Sequence, residues 1–300
     1  MNIKNNLKIL LLCLVASCSS TNQNVALISP EKILADVTYL ASDEMQGRHF
    51  LSAEAKHAAK HIATRWKDAD WKPLASRSSM YIPIGIPNAA PNVVAQWTGN
   101  QDSYIILIAH YDHLKPKRTG EDRIFNGADD NASGTAALIA IAEAFQQLQP
   151  KLKSNVVLIA SSGEEAGLLG AEHFVLEEII RIDKIKAVIN LDMISRGEPN
   201  TIFLEGSPDA PRISVAIQKA NKKVGLQIIR DKHPDWMYRG DQLPFWRSGI
   251  PSVFLSVEDH EDYHKTSDHA DKIMPDLAAK TAELALWTVI DLAKQQVPKP

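Results

Sequence analysis

Two adjacent glutamates, Glu164 and Glu165, come directly after "NVVLIASSG", which contains an apolar run of strand length. Neighbouring carboxylates repel each other, so such a pair usually lies on a solvated turn or faces a cation. If a cation is bound, one carboxylate can be a ligand while the other stays free to take a proton. The pair itself does not say which glutamate has which role. Whether a cation site exists depends on polar residues elsewhere in the chain.

Polar residues of metal-binding type follow several other apolar runs. They are His110 and Asp112 after "YIILIA", Asp129 and Asp130 in "NGADDNASG", Asp192 in "VINLDM", and His264 in "EDHEDYHKTSDH". In open α/β sheets, ligands bind beyond the carboxyl ends of the strands, so we expect these side chains to converge at one edge. A mixture of imidazole and carboxylate suits zinc better than calcium or magnesium. The surplus of acids also permits two ions that share a carboxylate.

Apolar runs of strand length alternate with helical segments along the chain. Strands are predicted over 92–97, 104–109, 155–160, 186–191, 201–204 and 251–256, and helices over 29–40, 52–66, 133–148, 169–180, 210–224 and 276–294. The apolar residues in these runs are mostly consecutive rather than alternating, which is typical of strands covered on both faces. The pattern predicts a three-layer α/β/α sandwich around a mixed, mainly parallel sheet. We expect one domain over residues 29–297, with a polar loop at 42–50.

Five short motifs occur in an order that resembles a known family. They are "HYD", "GADDNASG", "SGEEAGLLGA", "NLDM" and "YHKTSD". In this order they are similar to the motifs of the co-catalytic dizinc aminopeptidases, the group that includes aminopeptidase Y and relatives of glutamate carboxypeptidase. Upstream, "YLASDEMQGR" resembles the segment that precedes the core in bacterial members. The resemblance covers roughly residues 31–295.

The resemblance implies a role for each matching residue. His110 and Asp192 would bind one zinc, Glu165 and His264 the other, Asp130 would bridge both, Asp112 would hold the imidazole of His110, and Glu164 would be the general base. It also implies a cis peptide bond after Asp130. The implied reaction is attack of a zinc-bridging hydroxide on the peptide bond that follows the N-terminal residue of a peptide. Glu164 would accept the proton and pass it to the leaving amine.

The stretch "GDQLPF" at 240–245 is similar to a family segment near the substrate pocket. By this resemblance, Asp241 supports the site, and Tyr238 and Phe245 line the pocket for the first side chain of the substrate. Aromatic residues ahead of a strand are often core residues, and that alternative stays open for these two.

Several acidic and histidine residues lie near the implied ligands in the sequence. Asp268 is predicted to orient the imidazole of His264 by accepting a hydrogen bond. Asp129 is interpreted as structural rather than as a ligand. His113 directly follows "HYD" and is interpreted as a plain loop histidine, with a contact to substrate as the alternative.

The N-terminus has the pattern of a targeting segment. "MNIKNNLK" carries two lysines and precedes a short apolar run, which predicts a signal peptide over 1–17. "LVASC" resembles a bacterial lipobox with Cys18 as the lipid attachment site, followed by a tether over 18–28. We expect a lipoprotein of the bacterial envelope, on the periplasmic side of the outer membrane and attached to it only by lipid. The net charge of −3 is well mixed along the chain and does not suggest a nucleic-acid partner.

The leading interpretation is a metallo-exopeptidase with two Zn²⁺ ions that acts on peptides with a free N-terminus. A glutaminyl cyclase of the same fold with one zinc is an alternative. A carboxypeptidase is another, and it would use basic residues such as Arg239 and Arg247 near the pocket. A non-catalytic binding protein, which would need no zinc, is the alternative from a different class. The sequence indicates neither the preferred first residue nor the oligomeric state.

Overall fold

Eight strands and seven α-helices occur within residues 27–295, the part of the chain that this computed structural model describes. The strands are β1 (Tyr81–Ile82), β2 (Asn92–Trp97), β3 (Tyr104–His110), β4 (Asn155–Ser161), β5 (Ile185–Leu191), β6 (Thr201–Glu205), β7 (Gln227–Arg230) and β8 (Ser252–Ser256). The helices are α1 (Pro30–Leu40), α2 (Ala53–Asp68), α3 (Gly134–Leu148), α4 (Leu169–Leu176), α5 (Pro211–Val224), α6 (Gln242–Arg247) and α7 (Pro275–Lys294).

All eight strands form one sheet in the order β1-β2-β4-β3-β5-β8-β6-β7. The central strands β4, β3, β5 and β8 lie side by side in this order and run parallel to one another. The strands β2 and β6 are antiparallel to β4 and β8 respectively, which confirms the predicted mixed, mainly parallel sheet. Because the central strands are parallel, their carboxyl ends meet at one edge, and the polar residues that follow them lie together there.

Both faces of the sheet are covered by helices. Along β3, Ile105 and Leu107 pack into a cluster that includes residues of α1, α2, α3, α5 and α7. The alternate residues Ile106 and Ile108 pack on the other face, together with Phe174 of α4. This alternation follows from the period of two along a strand, and it confirms the predicted three-layer sandwich.

The start of α1 follows local capping rules. Pro30 occupies the first position of α1, and Oγ of Ser29 accepts a hydrogen bond of 3.3 Å from the backbone N–H of Lys32. Two strands and one helix were absent from the sequence prediction: β1, β7 and α6. Each of them is six residues or shorter, which leaves too little pattern for periodicity to detect.

The segment predicted as a polar loop at 42–50 contains a 3₁₀ helix at Asp43–Arg48, and Arg48 is fully buried. The Arg48 guanidinium donates to the backbone carbonyls of Tyr111 (2.8 Å), Asn126 (2.8 Å) and Gly127 (3.0 Å), and also to that of Leu40. The first three of these carbonyls belong to the segments that follow His110 and precede Asp130, and the fourth ends α1. The segment is thus an anchor for the two loops rather than a solvated connection.

Across residues 27–295 the helices are too short or too polar for any of them to traverse a lipid bilayer. The predicted signal peptide at 1–17, Cys18 and nearly all of the tether at 18–28 lie outside the described residues. The expected domain limits at 29 and 297 stay a prediction.

Candidate metal centre

Three predicted ligands converge at the carboxyl edge of the sheet. His110 ends β3, Asp192 follows β5, and Asp130 lies in the loop that leads into α3. The Nε2 atom of His110 lies 3.3 Å from Oδ1 of Asp130 and 3.2 Å from Oδ1 of Asp192. All three side chains are buried, and together they form a group that could hold a metal ion.

The other carboxylate oxygen of Asp130 faces a second group. Its Oδ2 atom lies 3.2 Å from Nε2 of His264, and that nitrogen lies 3.2 Å from Oε2 of Glu165. Oδ2 of Asp130 is buried and has no hydrogen-bond partner in the described part of the chain. Asp130 therefore stands between the two groups, with one oxygen directed to each, as a bridging ligand requires.

The separations fit ligands arranged around zinc. With zinc–ligand bonds of about 2.0–2.2 Å in tetrahedral geometry, two ligand atoms lie about 3.3–3.6 Å apart, and the shorter end of this range is close to the separations here. The four nitrogen–oxygen separations in the two groups are 3.3, 3.2, 3.2 and 3.2 Å. The mixture of imidazole and carboxylate also suits zinc. The residues present are thus compatible with two such ions that share Asp130.

Glu164 lines the same cavity but belongs to neither group of ligand atoms. Burial raises the pKa of its carboxyl well above the ordinary value; His110 opposes this effect, whereas the charges of Asp192 and Asp241 add to it. Its surroundings therefore differ from those of its neighbour Glu165, which contacts two histidines.

Asp112 was predicted to hold the imidazole of His110 with its carboxylate, but the contact is a different one. Its backbone carbonyl, rather than its carboxylate, lies 3.1 Å from Nδ1 of His110. The carboxylate points to the turn after β4, where Oδ1 accepts hydrogen bonds from the N–H groups of Gly163 (2.8 Å) and Glu164 (3.2 Å). The side chain thus fixes the turn that carries the glutamate pair. Burial raises the pKa of Asp112 to about 6.

Asp268 was predicted to orient His264, and that prediction was wrong. Its carboxylate instead accepts hydrogen bonds from the backbone N–H groups of Asp129, at 3.2 and 3.0 Å, and of Asp130, at 3.1 Å. The imidazole of His264 stacks on the ring of Tyr263, with ring centres 3.9 Å apart. The reason is that the chain turns between 264 and 268. This turn places Asp268 against the loop that carries Asp130, which we call the bridging loop.

The bridging loop has further internal support. The peptide bond between Asp130 and Asn131 is cis, as the resemblance implied. Asn131 accepts a hydrogen bond of 2.9 Å from the N–H of Gly134 and donates one of 3.0 Å to the carbonyl of Leu191. Asp129 is fully buried and accepts from the N–H and the hydroxyl of Ser195, which agrees with its structural interpretation.

A cavity of about 440 Å³ opens over the two groups. Besides the site residues, its walls include Leu168, Glu172, Tyr238, Arg239, Arg247 and Tyr263. Tyr238 is 57% exposed and stands at the rim, so it can contact a molecule that enters.

Phe245 was predicted to line this pocket but is not part of its wall, and Asp241, whose supporting role stays a prediction, does not line it either. Phe245 is fully buried in the core, with its ring centre 5.9 Å from that of Phe174, because it lies on the inner face of α6. Asp241 is also fully buried, and it accepts a hydrogen bond from the hydroxyl of Ser161. Burial raises the pKa of Asp241 to about 7.

His113 is the residue that sequence reasoning missed. It was interpreted as a plain loop histidine, but its side chain is fully buried, and Nδ1 lies 2.6 Å from Oε1 of Glu165. It forms a third ligand-type group with Asp130 and Glu165. Its position one residue after Asp112 carries no periodic signal, so only the fold shows that it joins the site.

The sequence model of peptidase family M28 matches residues 92–289. A curated relative, a probable zinc metalloprotease of Pyrenophora tritici-repentis, is 25% identical over 292 residues, which cover 80% of this chain and 59% of the relative. This chain thus spans less than two thirds of that protein.

Solved structures with the same fold include the LapA aminopeptidase of Legionella pneumophila. It has a TM-score of 0.75 and 19% identity, and the match covers 91% of this chain and 74% of that one. The glutaminyl cyclase of Porphyromonas gingivalis has a TM-score of 0.71 and 17% identity, over 89% of this chain and 99% of that one. At these identities the likeness concerns the fold alone.

Proposed function

This chain belongs to peptidase family M28, and from that premise we propose that it is a zinc-dependent aminopeptidase. Its substrates would be peptides with a free N-terminus, and its product the released N-terminal residue. The observation that carries the proposal is that the two carboxylate oxygens of Asp130 face different ligand groups. Oδ1 lies 3.3 Å from Nε2 of His110, and Oδ2 lies 3.2 Å from Nε2 of His264. A carboxylate shared in this way offsets the repulsion between two cations about 3.5–4 Å apart.

The chain supplies both the ligands and a proton carrier. Bound zinc would contribute a Lewis acid for the scissile carbonyl and would lower the pKa of a water molecule. Glu164 accepts a proton from the attacking water and returns it to the leaving amine. Its backbone is held by Asp112, whose Oδ1 lies 3.2 Å from the Glu164 nitrogen. The base thereby keeps a fixed position, while its neighbour Glu165 would hold the second ion.

The charges around the cavity favour recognition of an amine over a carboxylate. Glu172 lines it outside the two ligand groups, and its carboxylate attracts a protonated N-terminus. Of the two arginines in the wall, Arg239 donates to the carboxylate of Asp259 at 3.0 and 3.2 Å, and Arg247 lies 3.9 Å from the carboxylate of Glu172. This supports an aminopeptidase rather than a carboxypeptidase of the same fold.

A panel of aminoacyl substrates, each with an N-acetylated counterpart, tests the proposal. We expect hydrolysis of the free-amine substrates, its loss with a chelator, and its return when zinc is added. Equal hydrolysis of the acetylated substrates would contradict an aminopeptidase. Formation of pyroglutamate from an N-terminal glutamine, with one zinc per chain, would favour the glutaminyl cyclase alternative, which the shared fold keeps open.

We also propose that the mature protein is one catalytic domain over residues 29–297, anchored by lipid at Cys18 on the periplasmic side of the outer membrane. The support is the lysine-bearing start, the short apolar run and "LVASC" in the sequence. Labelled fatty acid should become covalently attached to the protein, and the labelled protein should sediment with the envelope fraction. A Cys18→Ala variant that still incorporates the label would contradict this attachment site.

A further inference from the structure

His113 and His264 both reach Glu165, but they contact different oxygens of its carboxylate. Nδ1 of His113 lies 2.6 Å from Oε1, whereas Nε2 of His264 lies 3.2 Å from Oε2. His113 is fully buried, and its Nδ1 lies 3.8 Å from Oδ2 of Asp130. Both imidazoles are therefore near enough to be considered as the nitrogen ligand of the second ion.

The distances to Glu165 indicate different roles for the two histidines. Two atoms bound to one zinc lie about 3.3 Å apart when each bond is about 2.0–2.1 Å long. His264 meets this condition toward both Asp130 and Glu165, at 3.2 Å each. The 2.6 Å separation between His113 and Glu165 is too short for two ligands of one ion and has hydrogen-bond geometry.

We propose that His113 is a positioning residue that donates a hydrogen bond from Nδ1 to Oε1 of Glu165. This bond leaves Oε2 of Glu165 as the single oxygen directed toward the second metal position, beside His264. The role rests on the two-zinc site of the proposed function. Residues that hydrogen-bond to a metal ligand commonly fix its orientation, and His113 would do this for Glu165.

The packing around His113 fixes its ring in this orientation. A Cβ atom on Gly127, where φ is +57°, would lie 2.6 Å from Cδ2 and 2.7 Å from Cγ of His113. The ring can occupy its place only because residue 127 is glycine. On another side the ring of Phe125 lies edge-on, with ring centres 6.4 Å apart. A histidine held this closely loses little further freedom when it orients Glu165.

Metal-binding measurements on three variants test this role. His113→Ala removes the donor, and His113→Asn offers an amide N–H in its place. His57→Ala, on the exposed face of α2, is the matched control. Competition with a chromophoric chelator gives the affinity of each zinc site. We expect His113→Ala to weaken one site by roughly 10–100-fold and to spare the other, His113→Asn to restore part of the loss, and the control to match the unsubstituted protein.

X-ray absorption by the zinc-loaded, unsubstituted protein supplies a second readout. With His110 and His264 as the only imidazole ligands, the average is about one imidazole per zinc, and a bound His113 would raise it to about 1.5. The higher value, or unchanged affinities in His113→Ala, would overturn the proposal. If that variant does not fold, the absorption measurement still decides. Fewer than two zinc ions in the unsubstituted protein would overturn the two-zinc proposal itself, and with it this role.

Discussion

The carboxylate of Asp268 accepts a hydrogen bond from the backbone N–H of Asp130, with an N···Oδ2 distance of 3.1 Å. The residue that stands between the two ligand groups is thus held through its own backbone by an acid 138 positions later in the chain. A bridging carboxylate must present one oxygen to each side, so its backbone position matters as much as its side chain. Asp268 connects the "YHKTSD" loop to the "GADDNASG" loop in this way.

Substitution of Asp268 by asparagine should loosen the bridging loop. The amide keeps one acceptor oxygen but turns an NH₂ group toward the N–H donors of Asp129 and Asp130. We expect the free energy of unfolding of the metal-free protein to fall by roughly 1–3 kcal/mol, measured by urea denaturation. The exposed Asp271→Asn is the control. Equal stability in the two variants would contradict the role of Asp268.

Substitution of Glu164 by glutamine should separate metal binding from turnover. The variant keeps the shape of the side chain but cannot carry a proton, so turnover should fall by roughly 10²–10⁴-fold. Zinc content should stay the same, whereas Glu165→Gln should lose zinc. Metal analysis and initial rates on the same samples provide the check. A Glu164→Gln protein with bound zinc and normal turnover would refute Glu164 as the base.

Gly47 and Gly225 form a matched pair for testing the anchor segment, since both have positive φ, at +76° and +79°. A Cβ at Gly47 would lie 2.5 Å from the carbonyl oxygen of Leu114 and 2.8 Å from that of Phe125, whereas a Cβ at Gly225 meets no atom within 4 Å. Gly225→Ala should cost about 1–2 kcal/mol of unfolding free energy from its backbone conformation alone. Gly47→Ala should cost clearly more. Thermal unfolding of the two variants gives this comparison. Similar losses of unfolding free energy would show that residues 43–48 do not pack tightly on the loops next to His110 and Asp130.

The strands that carry the site could be predicted because they are buried on both faces. "YIILIA" and "VVLIA" contain no charged or amide side chain, and such runs are typical of strands covered on both faces. The ligand types follow those strands directly, so topology alone brings His110 and Asp192 to one edge. The capped start of α1 at Ser29 and Pro30 is a local signal, which also needs no knowledge of the fold.

The contacts made by side chains from long loops could not be predicted. Asp268 lies only four residues from His264, yet it contacts the loop at Asp129, because the path of the chain between them is set by tertiary packing. The same limit applies to Phe245, whose segment gives no periodic signal to show that it faces the core. His113 differs from an ordinary loop histidine only in what surrounds it.

Glu143 should contribute a pH-dependent part of the stability. Burial acts to raise the pKa of its carboxyl, but hydrogen bonds from Arg65 (2.5 Å) and Lys32 (2.9 Å) outweigh this and hold the pKa below its ordinary value of 4.5. The folded protein then binds fewer protons than the unfolded chain, so this stabilisation is present above about pH 4.5 and is lost as the pH falls.

Glu143→Gln should lower the unfolding free energy by roughly 0.5–1 kcal/mol at pH 7, since these are partly exposed ion pairs. The difference from the unsubstituted protein should shrink below about pH 4. Denaturation curves between pH 3 and 7 provide the measurement, with the exposed Glu177→Gln as a control. A difference that stays constant with pH would contradict the ion-pair origin.

Anomalous diffraction at the zinc edge, from crystals of the zinc-loaded protein, tests the metal centre most directly. We predict two peaks, each about 2.0–2.2 Å from its ligands. One should be bound by His110, Asp130 and Asp192, and the other by His264, Asp130 and Glu165. Peaks that lie away from these five residues, or no peak at all in protein saturated with zinc, would contradict the account.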